Sequence, residues 1–307
     1  MAITVIGSGR VGASIALNCA VNDLDDILLL DVIQGLPQGE AMDINHQLSE
    51  MGIDRLVRGS SNYADIGKSD IIVLVAGLGR KPGMTRMDLL NTNAAIVNDV
   101  SKKIASHAKD STLIVVTNPL DPMTYLALKA SGLPNSRVIG MGGLLDLSRF
   151  KSFVHSSVGI SRSSIQAIVI GEHGENMLPL VRFCSIGGIP LEQFVDRSTQ
   201  SSIFEKTRSV AAEVISLKGA TIHAPGNAVA KMIEAIIKNK NSLIPVSAFL
   251  EGEYGVKDVC IGVPAVIGRN GIQKIIDLPL NPAEQELFLK GVRNVQEAIR
   301  SVRPLMA

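Results

Sequence analysis

The sequence predicts an α/β protein in which a doubly wound parallel sheet is followed by an α+β region. In the first half of the 307-residue chain, short and wholly apolar runs alternate with longer amphipathic segments. This is the pattern of parallel strands that helices cover on both faces. In the second half, long helical stretches come first and candidate strands follow, which is typical of an α+β domain. We therefore predict two domains, at residues 1–142 and 143–307, that meet at Gly142 and Gly143.

Each predicted element rests on length and apolar content. In the first half, predicted strands are Ile3–Ile6, Ile27–Leu30, Ile71–Val75, Leu113–Val116 and Val138–Ile139, and predicted helices lie near residues 10–22, 38–50, 86–107 and 120–131. In the second half, predicted helices lie near residues 145–157, 192–217, 221–240 and 282–303, and predicted strands near 164–170, 243–250, 258–267 and 272–276. The strand near 258–267 is expected to be one partner of a hairpin.

Composition excludes several classes of function. The net charge is +1, so no strong field favours nucleic acid or an anionic membrane. The three cysteines lie far apart and form no Cys-x-x-Cys motif, which argues against a metal site and suits a reducing compartment. We see no signal peptide and no apolar run near the roughly 18–20 residues of a spanning helix. A cytoplasmic protein with no nucleic-acid or membrane partner is expected.

A dinucleotide-binding fingerprint opens the chain. Gly7-Ser8-Gly9-Arg10-Val11-Gly12 is a G-x-G-x-x-G that follows a strand and begins a helical pattern, as in a Rossmann sheet. Asp31 ends the next strand, where an acid accepts hydrogen bonds from ribose hydroxyls. Asp31 repels a 2′-phosphate, so NAD is favoured over NADP, although some NADP use stays open. Ala13 replaces the lysine of a P-loop, which excludes an ATPase of that type.

Three further positions have the chemistry of an active site, and each also has a structural interpretation. Asn118 follows a parallel strand at the end where ligands bind, but it could equally cap the next helix. Asp146 and Arg149 share one face of a helix, and the alternative is an ordinary surface ion pair. His173 lies between a strand and a glycine turn. A lone histidine is more often structural, and here the neighbouring carboxylate and arginines favour catalysis.

A basic, glycine-rich loop follows the strand that ends at Val75. Residues 77–85 contain glycines and a proline and carry Arg80, and Arg86 comes directly after them. We interpret the loop as a lid that closes over substrate and excludes water. The alternative is a solvated hinge without a ligand.

Taken together, these motifs resemble the lactate/malate dehydrogenase family, and most closely its lactate-dehydrogenase-like malate dehydrogenases. The resemblance is carried in order over nearly the whole chain by GSGRVG, Asp31, RKPGMTR, TNPLD, LLDLSRF, GEHG and the KGAT of residues 218–221. It implies an NAD-dependent enzyme that interconverts malate and oxaloacetate. It also implies a homo-oligomer, either a dimer or a tetramer.

The resemblance implies a role for each matching residue. His173 would exchange a proton with the substrate C2 oxygen, and Asp146 would orient and stabilise its ring. Arg149 would bind the C1 carboxylate, Arg86 would polarise the carbonyl, and Asn118 would bind substrate. Arg80 would bind the second carboxylate of a dicarboxylate substrate. The implied cofactor-binding residues are Gly7, Gly9, Arg10, Val11, Gly12, Asp31, Asn93, Val116 and Asn118.

Two rival functions differ from this expectation. The first is a dehydrogenase for lactate or another 2-hydroxy acid, against which Arg80 argues. The second is a dinucleotide-binding redox sensor without turnover, against which the intact set of His173, Asp146 and Arg149 argues.

Overall fold

A computed structural model of the chain describes residues 2–79 and 84–306, apart from the side chains of Lys68, Arg86 and Met306. Its first half alternates strands and helices. These are β1 (Ile3–Ile6), α1 (Arg10–Val21), β2 (Ile27–Leu30), α2 (Leu36–Met51), β3 (Val57–Ser60), β4 (Ile71–Leu74), α3 (Arg86–His107), β5 (Thr112–Val115), α4 (Leu120–Ser131) and β6 (Val138–Gly140).

The second half begins with a helix, continues through short strands, and ends in a long hairpin and a helix. Its elements are α5 (Gly143–Val158), β7 (Ile165–Gln166), β8 (Val169–Gly171), β9 (Met177–Pro179), β10 (Ser185–Ile186), β11 (Ile189–Pro190), α6 (Arg197–Lys218), α7 (His223–Ile237), β12 (Ser242–Glu251), β13 (Lys257–Gly268), β14 (Gly271–Ile275) and α8 (Pro282–Val302).

The parallel sheet has the order β3-β2-β1-β4-β5-β6. Strands β1, β4 and β5 are buried along their whole length, because helices cover both faces of the sheet. The strand order reverses between β1 and β4, and ligands bind at the carboxyl ends of strands beside such a point. This arrangement confirms the predicted fold class.

The sheet continues from the first half of the chain into the second. Strand β6 pairs with β12 through Gly140 and Ser247, and β12, β13, β8 and β9 extend the sheet in antiparallel fashion. Gly171, at the end of β8, pairs with Gly262 of β13. A Cβ added to Gly262 would lie 2.5 Å from the Gly171 carbonyl oxygen. This close crossing fixes the start of the segment that carries the candidate histidine. The division at residue 142 stays a prediction.

Several details differ from the expected elements, and among them the short strands β9, β10 and β11 were not predicted. Strand β3 was not predicted, because Val57–Ser60 contains an arginine and a glycine and has no apolar run. The predicted strand at 164–170 is two short strands, β7 and β8, that belong to different sheets. Helix α6 begins later than predicted, where Asp196 caps it by accepting a hydrogen bond from the Thr199 amide at 2.8 Å. Among the described residues, no helix has the length and apolarity needed to cross a bilayer.

Candidate active site

The turn between β1 and α1 has the geometry of a pyrophosphate cradle. Gly7 has a φ of +106°, and an added Cβ there would lie 2.7 Å from the Ala76 amide nitrogen. A Cβ on Gly12 would collide with the Gly7 carbonyl oxygen, whereas one on Gly9 would meet nothing within 4 Å. Two glycines are therefore required by packing, and the third leaves an open face for a ligand. These are the three roles expected of this motif.

The start of α1 is suited to an anion. Its N-cap residue makes no side-chain cap hydrogen bond, and its first turn contains no acidic residue. The first amide groups of a helix have no partner within the helix, and they attract negative charge. Arg10 is exposed and Val11 is half-buried in this turn. Both predicted cofactor-binding positions therefore lie at the open end of the helix.

Asp31 connects this turn to the end of β2. Its carboxylate accepts hydrogen bonds from the Ser8 amide at 2.7 Å and the Ile33 amide at 3.0 Å. The Ser8 hydroxyl is buried and makes no hydrogen bond within the described part of the chain. An acid and an unpaired hydroxyl thus flank the glycine turn, and this polar set fits a dinucleotide.

Asn93 joins the ends of β4 and β5. Its amide group donates to the Leu78 carbonyl at 3.1 Å and the Asn118 carbonyl at 2.7 Å, and its oxygen accepts from the Leu78 amide at 2.8 Å. These hydrogen bonds hold the segment after β4 next to the segment after β5. A role of Asn93 as a cofactor ligand stays a prediction. Val116 donates its amide hydrogen to the Leu74 carbonyl at 2.9 Å, which holds β5 beside β4.

Asn118 is exposed at the carboxyl end of β5, and the Asn118–Pro119 peptide bond is cis. It does not cap α4, because the N-cap position is Pro119, which makes no side-chain cap bond. The capping interpretation of Asn118 is therefore wrong, and its side chain remains available for a ligand.

Asp146, Arg149 and His173 form one buried cluster. Asp146 on α5 accepts a hydrogen bond from Arg149 Nη1 at 3.0 Å with one oxygen and lies 2.8 Å from His173 Nδ1 with the other. The Asp146 side chain is 2% exposed, and the other two are 12% and 13% exposed. The alternative of a solvated surface ion pair is therefore wrong.

The surroundings of His173 favour its protonated form. Burial by itself lowers the pKa of the imidazole, but the charge and hydrogen bond of Asp146 raise it more, so the net shift is upward. Arg149 opposes this shift and Asp121 adds to it. Because Asp146 engages Nδ1, Nε2 is the nitrogen left for proton transfer.

Sequence reasoning missed a role for Asp121. This residue lies within the TNPLD motif, and its carboxylate accepts the main-chain amide hydrogen of His173 at 2.8 Å. Nothing in the local sequence connects residues that are 52 positions apart. Its place in the first turn of a helix after a parallel strand was the one available signal.

The lid interpretation concerns residues 77–85, and Arg80 and residues 81–83 of that loop lie outside the described residues. Arg86 begins helix α3, where Thr85 and Asp88 form a capping box, but its side chain is outside the described part. Their predicted roles stay predictions. Among the described residues, no group of three or more His, Cys, Asp or Glu side chains is placed to hold a metal ion.

Comparison with known proteins agrees with this geometry. Residues 1–140 match the NAD-binding domain of lactate/malate dehydrogenase, and residues 144–304 match the alpha/beta C-terminal domain of the same family. The malate dehydrogenase of Symbiobacterium thermophilum is 43% identical over 304 residues, which cover 98% of this chain and 96% of that protein.

Solved structures of two related enzymes superpose on the whole chain. The malate dehydrogenase of Cryptosporidium parvum is 36% identical, with a TM-score of 0.96 and 99% of each chain covered. The lactate dehydrogenase of the same organism, solved with lactic acid and β-nicotinamide adenine dinucleotide, is 38% identical, with a TM-score of 0.93 and 98% of each chain covered. The two domain matches and these full-length similarities show that the chain belongs to the lactate/malate dehydrogenase family.

Proposed function

We propose that this chain catalyses reversible hydride transfer between NAD(H) and malate or oxaloacetate. The observation that carries the proposal is the buried Asp146–His173–Arg149 cluster beside the carboxyl edge of a dinucleotide-binding sheet. Full-length similarity to proteins named malate dehydrogenase supports it.

The chain itself supplies the acid–base chemistry. When bound, NAD(H) supplies the hydride chemistry. In reduction, protonated His173 donates from Nε2 to the substrate C2 oxygen, and Asp146 stabilises the imidazolium before this transfer. In oxidation, neutral His173 accepts the proton of the C2 hydroxyl. A histidine whose pKa is raised remains substantially protonated near neutrality, which suits reduction.

Arg149 binds and orients the substrate. A guanidinium can hold a carboxylate through two parallel hydrogen bonds. Asp146 accepts one hydrogen bond from Arg149, so one carboxylate aligns both the acid–base group and the substrate anchor. Asn118, exposed beside the crevice, is proposed to donate a hydrogen bond to the substrate, and Arg86 to polarise the carbonyl.

Arg80 is proposed to select the substrate. The fold alone does not distinguish malate from lactate, because a malate dehydrogenase and a lactate dehydrogenase superpose on the chain with TM-scores of 0.96 and 0.93. An arginine that faces the far end of the substrate would pair with the second carboxylate of oxaloacetate, whereas pyruvate has only a methyl group there. A buried charge left without its partner costs about 1–3 kcal/mol or more.

A kinetic comparison of oxaloacetate and pyruvate tests this proposal. We expect oxaloacetate to be the better substrate, by up to roughly 10⁴-fold in kcat/KM. Arg80→Gln should reduce kcat/KM for oxaloacetate far more than for pyruvate. Equal losses with both substrates would reject the role of Arg80, and a wild-type enzyme that turns over neither would favour a redox sensor.

NAD is proposed as the preferred cofactor. Asp31 lies where the adenine ribose is expected, and its carboxylate would repel a 2′-phosphate. A higher kcat/KM with NADPH than with NADH would reject this assignment.

The chain is also proposed to form a cytoplasmic homo-oligomer, either a dimer or a tetramer. Helix α6 carries Ile215 and Leu217 near its end, and they are 48% and 79% exposed. Exposed apolar side chains on one helix support an interface. Leu217→Glu should lower the mass measured by analytical ultracentrifugation, whereas Leu287→Glu, on helix α8, should not. An unchanged mass in the first variant would exclude α6 from the interface.

A further inference from the structure

A second buried carboxylate contacts the candidate proton-transfer residue. Asp121 lies in the first turn of α4 and is 2% exposed. Its Oδ2 accepts the main-chain amide hydrogen of His173 at 2.8 Å. The carboxylate that bonds to this backbone comes from the first half of the chain, and the histidine comes from the second.

His173 is thereby held at two points. Asp121 binds its main chain, and Asp146 lies 2.8 Å from ring atom Nδ1. The first contact fixes the position of the backbone, and the second fixes the rotation of the ring. Close packing adds to this restraint, because a Cβ on Gly142 would lie 2.5 Å from Leu120 Cδ2 and 3.0 Å from His173 Cβ. The imidazole is therefore built into a defined location.

The charge of Asp121 is poorly compensated. Within the described residues, no lysine or arginine forms a salt bridge with it. The Ser247 hydroxyl of β12 approaches closely enough to lower the pKa of Asp121. In the described part of the chain, neither that hydroxyl nor Asp121 Oδ1 makes a hydrogen bond of ordinary geometry. A buried carboxylate with one strong hydrogen bond and no cation is costly. Such a group is a candidate for a functional role.

The titratable groups around Asp121 come from several elements. The pKa of Asp121 is raised to about 6, chiefly because the carboxyl group is buried. The charge of Glu172 contributes to this rise, whereas the Ser247 hydroxyl, the His173 amide and the His173 imidazole oppose it. The thiol of Cys260 on β13 is also within electrostatic range. Toward His173, the other charged neighbours are Asp146 and Arg149 of α5. Of these groups, the two aspartates favour the imidazolium.

We propose that Asp121 is a positioning residue for the proton-transfer histidine, which holds the His173 main chain and favours the protonated imidazole through its negative charge. The inference rests on the proposed function, because it assigns a second support to the same proton-transfer group. Its hydrogen bond connects the segment that carries Asn118 to the segment that carries His173, so the proposed substrate contact and the proton-transfer group are held next to each other.

Asp121→Asn separates the effect of the carboxylate charge from the effect of the hydrogen bond to the His173 main chain. Asparagine has nearly the same shape, and its carbonyl oxygen can accept the His173 amide hydrogen, but it has no charge. We expect the alkaline limb of kcat/KM for oxaloacetate reduction to move to lower pH by about half a unit or more, which corresponds to roughly a threefold loss of protonated histidine on that limb. NADH affinity should not change. Asp121→Ala should in addition lower kcat, because the backbone contact is lost.

A matched control lies on the same helix. Thr124 is fully buried on α4, and its hydroxyl donates only to the Leu120 carbonyl at 2.8 Å. Thr124→Val removes a buried polar group without touching His173, so the pH profile should be that of wild type. If Asp121→Asn does not fold, Ser247→Ala is the second variant. Loss of the Ser247 hydroxyl should make Asp121 take up its proton at higher pH and displace the profile in the same direction.

Direct titration of His173 separates this inference from the proposed function. The full-length protein with ¹³C-labelled histidine is titrated by NMR, and the His173 signal is identified by its absence in His173→Gln. We expect the titration midpoint in Asp121→Asn to fall with the kinetic profile. An active wild type whose His173 midpoint and pH profile do not move in Asp121→Asn would overturn the role of Asp121. A wild type inactive on oxaloacetate, with a midpoint that still moves, would overturn only the proposed function.

Discussion

Asp146→Asn tests the centre of the proposed mechanism. The carboxylate of Asp146 is bonded on one side to Arg149 and on the other to His173, at 3.0 Å and 2.8 Å. Asparagine retains the shape and can bond to one of these neighbours through its oxygen. It removes the negative charge that stabilises the imidazolium, so reduction loses most of its proton donor near neutral pH.

The magnitude follows from the geometry. At an effective dielectric constant of 20, two unit charges about 4 Å apart attract by about 4 kcal/mol, which corresponds to roughly a thousandfold change in an equilibrium. Burial and Arg149 offset part of this for His173. We therefore expect kcat/KM for oxaloacetate reduction to fall by about 10²- to 10⁴-fold, the range of general acid–base catalysis.

The stability of the variant should depend on pH with a definite sign. The folded-state pKa of His173 is raised above its ordinary value of 6.5, so its contribution to stability is complete below that value and is lost as pH rises through the folded-state pKa. The part of the destabilisation that comes from His173 should therefore be largest in acid and shrink in alkali. Chemical denaturation at several pH values measures it.

Asp99→Asn is the control for loss of an ionic contact. Asp99 pairs with Lys103 at 2.7 Å on the surface of α3 and is 62% exposed. Such a pair contributes about 0–1 kcal/mol, and its loss should not change the kinetics. Wild-type kcat/KM and an unchanged pH profile in Asp146→Asn would refute the role assigned to Asp146.

Three further variants test the cofactor and substrate contacts. Gly12→Ala places a Cβ against the Gly7 carbonyl oxygen, and this overlap costs about 1–3 kcal/mol. NADH affinity measured by fluorescence should therefore fall by roughly five- to 100-fold. An unchanged affinity would mean that this turn does not bind the pyrophosphate. Asp31→Ser removes the repulsion of a 2′-phosphate and the hydrogen bond to the Ser8 amide. The ratio of kcat/KM for NADPH to that for NADH should therefore rise. A constant ratio would count against Asp31 as the residue that selects NAD. Arg149→Lys replaces a planar fork with a point charge, so KM for oxaloacetate should rise while the Kd of NADH stays constant, and a parallel rise in both would place Arg149 elsewhere.

Regular elements could be predicted because each has a local signal. Helix α3 was predicted at its observed bounds, where Thr85 and Asp88 form a capping box, and β1 and β2 coincide with apolar runs. Strand β3 could not be predicted, since Val57–Ser60 is a strand only because it pairs with β2. Strands β9, β10 and β11 are only two or three residues long, and their pairing with other strands defines them as well.

Part of the site was also predictable from the sequence. Asp146 and Arg149 are near neighbours on one helix, and His173 follows a recognisable strand, so a pairing could be expected. The contact between Asp121 and the His173 amide depends on how β6, β12 and β13 connect the two halves of the sheet, and no local pattern encodes it. Asn93 is a similar case, because its hydrogen bonds to Leu78 and Asn118 require the ends of β4 and β5 to be adjacent.

The two buried aspartates affect the stability of the fold in opposite ways. Asp146 is compensated by Arg149 and His173, whereas Asp121 is held largely by one amide. The folded-state pKa of Asp121 is about 6, and its ordinary value is 3.8. Its contribution to the free energy of unfolding is therefore favourable in acid and is lost as pH rises through about 6. At neutral pH the ionised carboxylate costs about 3 kcal/mol of stability. Asp121→Asn should therefore unfold at no lower a denaturant concentration than wild type at pH 8, even as its activity profile shifts. A residue kept only for packing would show the reverse, with lower stability and an unchanged profile, so the two measurements together distinguish structural support from control of the histidine.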